Sequence, residues 1–164
     1  MMAQGAVRER PAWAGVVVLL GVVLVLGVPA VRLWTVAQAP PLALLEGIQV
    51  PGPLPTLGLP LAEDPSWAHW AARSLGALAI PLVFATWMSR TPRGAGRVAT
   101  GAWATTVVAV VTGCLVHAVL QSLLLTGGPT SFLLTVGGTL LVGAVVGVVL
   151  GLLVGAVCAV VALR

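Results

Sequence analysis

The feature that most constrains this chain is a pair of long stretches without a formal charge, from about Val98 to Leu125 and from about Phe132 to Leu163. A helix needs roughly 20 mainly apolar residues to cross the ~30 Å hydrocarbon core of a bilayer. Two more stretches are long enough. One runs from about Ala12 to Val36, uncharged until Arg32; the other runs from about Ser66 to Ser89, uncharged from Ser74 to Met88. The 164 residues are 59% hydrophobic and 7% charged, against roughly 25% charged in soluble domains. A water-soluble fold of this length has too little interior to hide so much apolar surface. The expected fold class is an all-α integral membrane protein, one domain built as a four-transmembrane-helix bundle with helices at about 12–36, 66–89, 98–125 and 132–163.

Arginine placement sets the expected orientation. In a four-span chain Arg8, Arg10, Arg90, Arg93, Arg97 and Arg164 share one side with Glu9, while Arg32, Arg73, Glu46, Glu63 and Asp64 fall on the other. That leaves +5 against −1, in keeping with the net charge of +4. Basic residues accumulate on the cytoplasmic side, so the expectation is N-in and C-in. Tryptophan supports it separately. Trp13, Trp87 and Trp103 fall at inner ends and Trp34, Trp67 and Trp70 at outer ends, where an indole can keep its ring in lipid and its N–H in the interface. The first stretch also resembles a signal peptide, with Ala37-Gln38-Ala39 as a cleavage-like triplet. Its apolar run is too long for that and Pro40 would follow the cut, so an uncleaved anchor is expected. All eight basic residues are arginine, a composition that fits a GC-rich bacterial genome and hence a bacterial plasma membrane.

The connections differ in character. The outer segment 37–65 holds Pro40, Pro41, Pro51, Pro53, Pro55, Pro60 and Pro65 among many leucines. Proline favours extended backbone, and the apolar content points to a segment that lies on the membrane surface or caps the bundle, with room for a short helix near Leu42–Gly47. Asp64-Pro65 supplies a capping acid and a first-turn proline for the second helix. The inner loop from Arg90 to Arg97 is short and basic. Arg90, Arg93 and Arg97 are read as topology signals and contacts to anionic lipid headgroups, worth about 1 kcal/mol each near such a surface. The outer turn from Thr126 to Ser131 makes the last two helices an antiparallel hairpin. Pro29 and Pro81 are expected to kink the first two helices and free the carbonyls of Val25 and Ala77.

The last helix carries the most specific pattern. Gly143, Gly147, Gly151 and Gly155 recur every four residues, and Thr135, Thr139 and Ala159 continue the row. Rows of small residues let two backbones approach in a bilayer, where lipid is as apolar as leucine and close packing drives association. The row serves either packing within the bundle or self-association of copies through the fourth helix; a pore lining is the weaker fit, since no charge accompanies the glycines.

Polar residues inside the spans are few. Counted at ~1.5 Å per residue from the inner tryptophans, Arg73 and His117 fall at one depth in the outer half, with His69 and Gln121 further out. An outer-leaflet polar cluster of Arg73, His117, Gln121 and His69, closed over by Glu46, Glu63 or Asp64, is expected, because ionisable groups in a span are costly. Snorkelling of Arg73 and simple satisfaction of a buried histidine are the bland readings of the same residues.

Catalytic and metal signatures are missing from the sequence. Cys114 and Cys158 lie in apolar stretches and suit neither a disulfide framework nor a zinc site. No HExxH, CxxC, nucleophile elbow or phosphate-binding loop occurs, and Cys114 with His117 lacks an orienting acid. No cofactor or metal is expected, haem between His69 and His117 being a remote alternative, and the high pI reflects scarce acids and not nucleic-acid binding. The expected function is a non-catalytic accessory, assembly or interaction subunit. Its partners would be membrane lipids and either a second copy or another membrane protein. The alternative is a small transporter or channel subunit using the Arg73 and His117 cluster, in which His117 would carry any proton coupling.

Overall fold

The computed structural model describes residues 3–28, 31, 54–57, 67–90, 95–124 and 128–164, with side chains from Pro11 onward. Among these the protein is all-helical. The helices are α1 (Ala3–Leu26), α2 (Trp67–Met88), α3 (Ala95–Leu124) and α4 (Pro129–Ala162). The last three are long and apolar enough to cross a membrane. Only Pro11–Leu26 of α1 is apolar, a shorter stretch of about 24 Å at 1.5 Å per residue.

α2, α3 and α4 begin and end within a few residues of the expected positions, because charged or glycine- and proline-rich sequence bounds each apolar run. α4 starts with Gly128 as N-cap and Pro129 in its first turn, where the missing N–H of proline costs nothing. It absorbs the last residues of the expected outer turn.

The first helix differs. It starts at Ala3 and stops at Leu26, well short of the expected Val36. Hydropathy continues past Leu26, but Gly27 and Pro29 follow, and a proline disfavours helical backbone in the residue before it. The exposed end carbonyls are taken locally. Gly27 N–H donates to Leu24 O at 3.1 Å and Val28 N–H to Val25 O at 3.1 Å. The Val25 carbonyl is therefore occupied by a turn bond; helical backbone is seen again at Val31, and the kink expected at Pro29 lies outside the described residues. The Val23 carbonyl accepts from Leu57 N–H at 3.3 Å, so the distant segment Leu54–Leu57 caps α1. A Cβ on Gly27 would collide with the Leu57 carbonyl, which explains the glycine there. At Pro81, α2 continues as helix to Met88.

α3 packs closely on both α2 and α4, while α1 lies more sparsely against α2 and α4. One core joins all four, centred on Leu19, Ala77, Ile80, Phe84, Val110 and Val154. Around Gly15 three helices meet: a Cβ there would strike the Phe84 ring of α2 and lie 3.2 Å from Cys158 Sγ of α4. The Cys158 thiol donates to Pro11 O at 3.2 Å. The start of α1 therefore lies beside the end of α4.

The expected short helix at Leu42–Gly47, the Asp64-Pro65 cap, Trp34, Arg32, Arg93, Glu46, Glu63 and Pro29 all lie outside the described residues.

Candidate functional site

The glycine row of α4 lies against α3. A Cβ on Gly143 would sit 2.9 Å from Cys114 Sγ, on Gly147 3.1 Å from Val107 Cα, on Gly151 2.9 Å from Trp103 O, and on Gly155 2.9 Å from Ala99 O. Ala99, Trp103 and Val107 also recur every four residues, so two ridges run along each other at backbone contact. The missing side chains expose the α4 backbone as well. Trp103 Nε1–H donates to Val148 O at 3.3 Å, so an indole at the helix surface finds its acceptor on the neighbouring helix. Thr135 and Thr139 are buried in the same row, and Thr139 Oγ1 donates back to Thr135 O at 2.7 Å. With α3 seated on them, the four glycines leave no room for a second copy while the bundle is intact.

α2 and α3 make a still closer crossing that periodicity alone does not reveal. A Cβ on Gly76 would stand 2.8 Å from Gly113 O, and one on Gly113 would stand 2.7 Å from Gly76 O. Each glycine is isolated in its own helix and no four-residue row announces the pair. Around this crossing three further groups gather. His117 Cβ and Pro55 Cβ lie 2.7 and 3.1 Å from the Cβ position of Gly76, and Pro55 is among the most deeply buried side chains.

His117 is 6% exposed. Its imidazole hydrogen-bonds the backbone of Ala72 and feels the charge of Arg73. Arg73 therefore lies within electrostatic reach of His117. Gln121 follows His117 by one turn on the same face of α3, and the antiparallel register set by Gly76 and Gly113 brings His69 toward that level. His69 and Arg73 each have interactions of their own. The acids expected to close over the cluster lie outside the described residues.

Hydrogen bonding around the site is uneven. The hydroxyls of Thr106, Thr112 and Ser122 on α3 turn back onto their own helix at 2.7–2.8 Å, as hydroxyls in apolar surroundings do. Among the described residues, three buried polar atoms have no hydrogen-bond partner: Ser74 Oγ, His117 Nδ1 and Gln121 Oε1. Ser74 was not singled out from the sequence, where an isolated serine in a helix carries no signal. Among the described residues no group of three histidine, cysteine, aspartate or glutamate residues sits together, and Cys114 and Cys158 are buried, free thiols. At the other end of the bundle, Arg90 and Arg97 are exposed.

A second feature lies between α1 and α2. An apolar groove of about 710 Å³ is lined by Ala12, Trp13 and Val16 of α1 and by Leu78, Pro81 and Leu82 of α2, with Ser89 at its end. Leu82 is 66% and Trp13 62% exposed, so the groove opens to the side of the bundle.

These features define an all-helical protein with three helices suited to crossing a membrane. Comparison with protein-family models, curated proteins and solved structures finds no match.

Proposed function

We propose that the chain is a non-catalytic accessory subunit of a membrane complex, a four-span bundle with both termini in the cytoplasm that docks a partner's transmembrane helix in the groove between α1 and α2. The observation that carries this is the short, sparsely packed α1 beside an open apolar groove. An apolar segment shorter than the bilayer is accommodated by local thinning or by association with other helices. The groove offers small residues (Ala12, Ala85) flanked by large ones (Leu78, Leu82), a surface into which a neighbouring helix ridge can settle. The glycine row of α4 holds the bundle together in this reading, and Arg90, Arg93 and Arg97 meet anionic headgroups of the cytoplasmic leaflet, in bacteria the plasma membrane.

A photo-crosslinking residue at Leu82, with a second at Leu152 on the exposed face of α4, tests it in cells. The expected product is one membrane protein joined at Leu82 and not at Leu152, lost when Ala85→Trp fills the groove. A chain that crosslinks only to lipid at both positions, and is monomeric in mild detergent, would sink the proposal.

One observation favours a second reading, a small transporter or channel subunit: the partnerless polar atoms near Arg73 and His117. Flux in liposomes that is unchanged in both His117→Ala and Arg73→Ala ends it.

A further inference from the structure

We propose that His117 and Gln121 together bind a small neutral hydrogen-bond donor, of which water is the smallest, at the α2–α3 crossing beneath the Leu54–Leu57 segment. This stands apart from the docking groove and needs no partner protein.

The acceptor character follows from the geometry. The Ala72 backbone accepts from the imidazole, while Nδ1 is the ring nitrogen without a partner. A neutral imidazole that donates through one nitrogen presents the other as an acceptor. Gln121 Oε1 is an acceptor by nature. Two acceptors one helical turn apart are close enough for a single molecule with two N–H or O–H groups to bridge them. Both atoms are sealed from the surface, and His117 is 94% buried, being 6% exposed.

The surroundings select the class of ligand. Two acceptors reject an anion, and the Arg73 charge acting on the imidazole opposes a cation. A neutral donor remains. Ser74 Oγ does not belong to the pair. At 3.6 residues per turn it points roughly 160° away from Ala72 and Gly76, toward the flank of α2 that faces α1.

The backbone at this place supports the assignment. α1 ends at Leu26, and the non-helical segment Leu54–Leu57 lies against that end and against α2, with Leu57 over Gly27 and Pro55 against Gly76. Within a membrane, irregular backbone is tolerated only where protein buries it or where it borders a hydrated cavity. Buried waters collect where two or more otherwise unsatisfied polar groups converge; His117 and Pro55 both lie against Gly76 at this crossing, and Gln121 follows His117 one turn further along α3.

The test is water-edited solid-state NMR on ¹⁵N-histidine protein in liposomes, with His69→Asn so that one imidazole reports. The backbone N–H of Ala109, fully buried in the middle of α3, is labelled as the dry reference. The expected result is a non-protonated His117 Nδ1 that receives polarisation from water well above the Ala109 level, and that falls to that level in Gln121→Leu. Gln121→Met, closer in shape, serves if the leucine variant does not fold. No transfer to Nδ1, or transfer unchanged when Gln121 is replaced, overturns the proposal. Thermal unfolding gives an independent sign. If the atoms are simply unsatisfied, Gln121→Met raises the melting temperature by removing an orphan; if they hold a bound molecule, it lowers it. A raised temperature overturns the proposal even where NMR is silent.

Discussion

Single glycines decide how closely these helices approach, and their substitution separates two opposing effects. Alanine is favoured over glycine in a helix by about 1 kcal/mol. At Gly137 a Cβ would meet nothing within 4 Å, so only that gain remains. At Gly113 it would meet the Ile80 side chain and, at 2.7 Å, the Gly76 carbonyl, which belongs to a helix backbone and cannot turn aside. Overpacking of this kind costs about 1–3 kcal/mol. Gly137→Ala should therefore raise the unfolding midpoint in detergent micelles and Gly113→Ala should lower it. A gain from both would show that the crossing is looser than described. The sequence exposed little of this. Arg73 and His117 were legible as neighbours by counting depth, because both lie fourteen residues from a tryptophan in antiparallel helices. The Gly76 and Gly113 crossing was not legible, since α2 has a single glycine and the three of α3, Gly96, Gly101 and Gly113, do not recur every four residues, and neither was the role of Ala72, whose contribution is backbone.

At the scale of elements, the α3–α4 pair is a ridge seated along a ridge, and its contacts differ in what can yield. Gly143 faces a side chain, Cys114 Sγ at 2.9 Å, whereas Gly155 faces Ala99 O at 2.9 Å. Gly143→Ala should destabilise the pair and be partly rescued by Cys114→Ala, which removes the sulfur. Gly155→Ala has no comparable rescue by shortening a neighbour. A double-mutant cycle measured by reversible unfolding in micelles reads the coupling, expected at about 0.5–3 kcal/mol for groups in contact; zero coupling between positions 143 and 114 would place the sulfur elsewhere. The existence of α2, α3 and α4 and the small-residue face of α4 could be read from hydropathy and spacing, because both report directly on what touches lipid and what touches another helix. The end of α1 could not. Hydropathy averages over Gly27 and Pro29, while helix termination depends on single N–H groups and on a capping residue, Leu57, that lies in a distant part of the chain.

At the scale of the molecule, topology turns on whether the short α1 crosses. Its apolar part covers about 24 Å, less than the ~30 Å core. Taken alone, that argues for three spans and termini on opposite sides. Its packing argues otherwise. Pro11 is bonded to Cys158 near the end of α4, and Leu57 closes the far end of α1 at Val23 and Gly27, so α1 runs along the bundle with its start beside the C-terminal end of α4. The two chain ends then share a face of the bundle, whichever way the bundle is oriented. In the proposed reading the arginines select which way: each one held at an anionic cytoplasmic surface would contribute about 1 kcal/mol, and Arg90, Arg97 and Arg164, all exposed, lie at that end of the bundle. In the same reading the remaining mismatch of a few ångströms would be met by local thinning of the bilayer and by the folded-in Leu54–Leu57 segment, at modest cost. Reporters that fluoresce only in the cytoplasm, fused in turn before Met1 and after Arg164, should both be active. An active C-terminal reporter with a silent N-terminal one would mean that α1 lies outside the bundle, and the contact between Pro11 and Cys158 would fall with it.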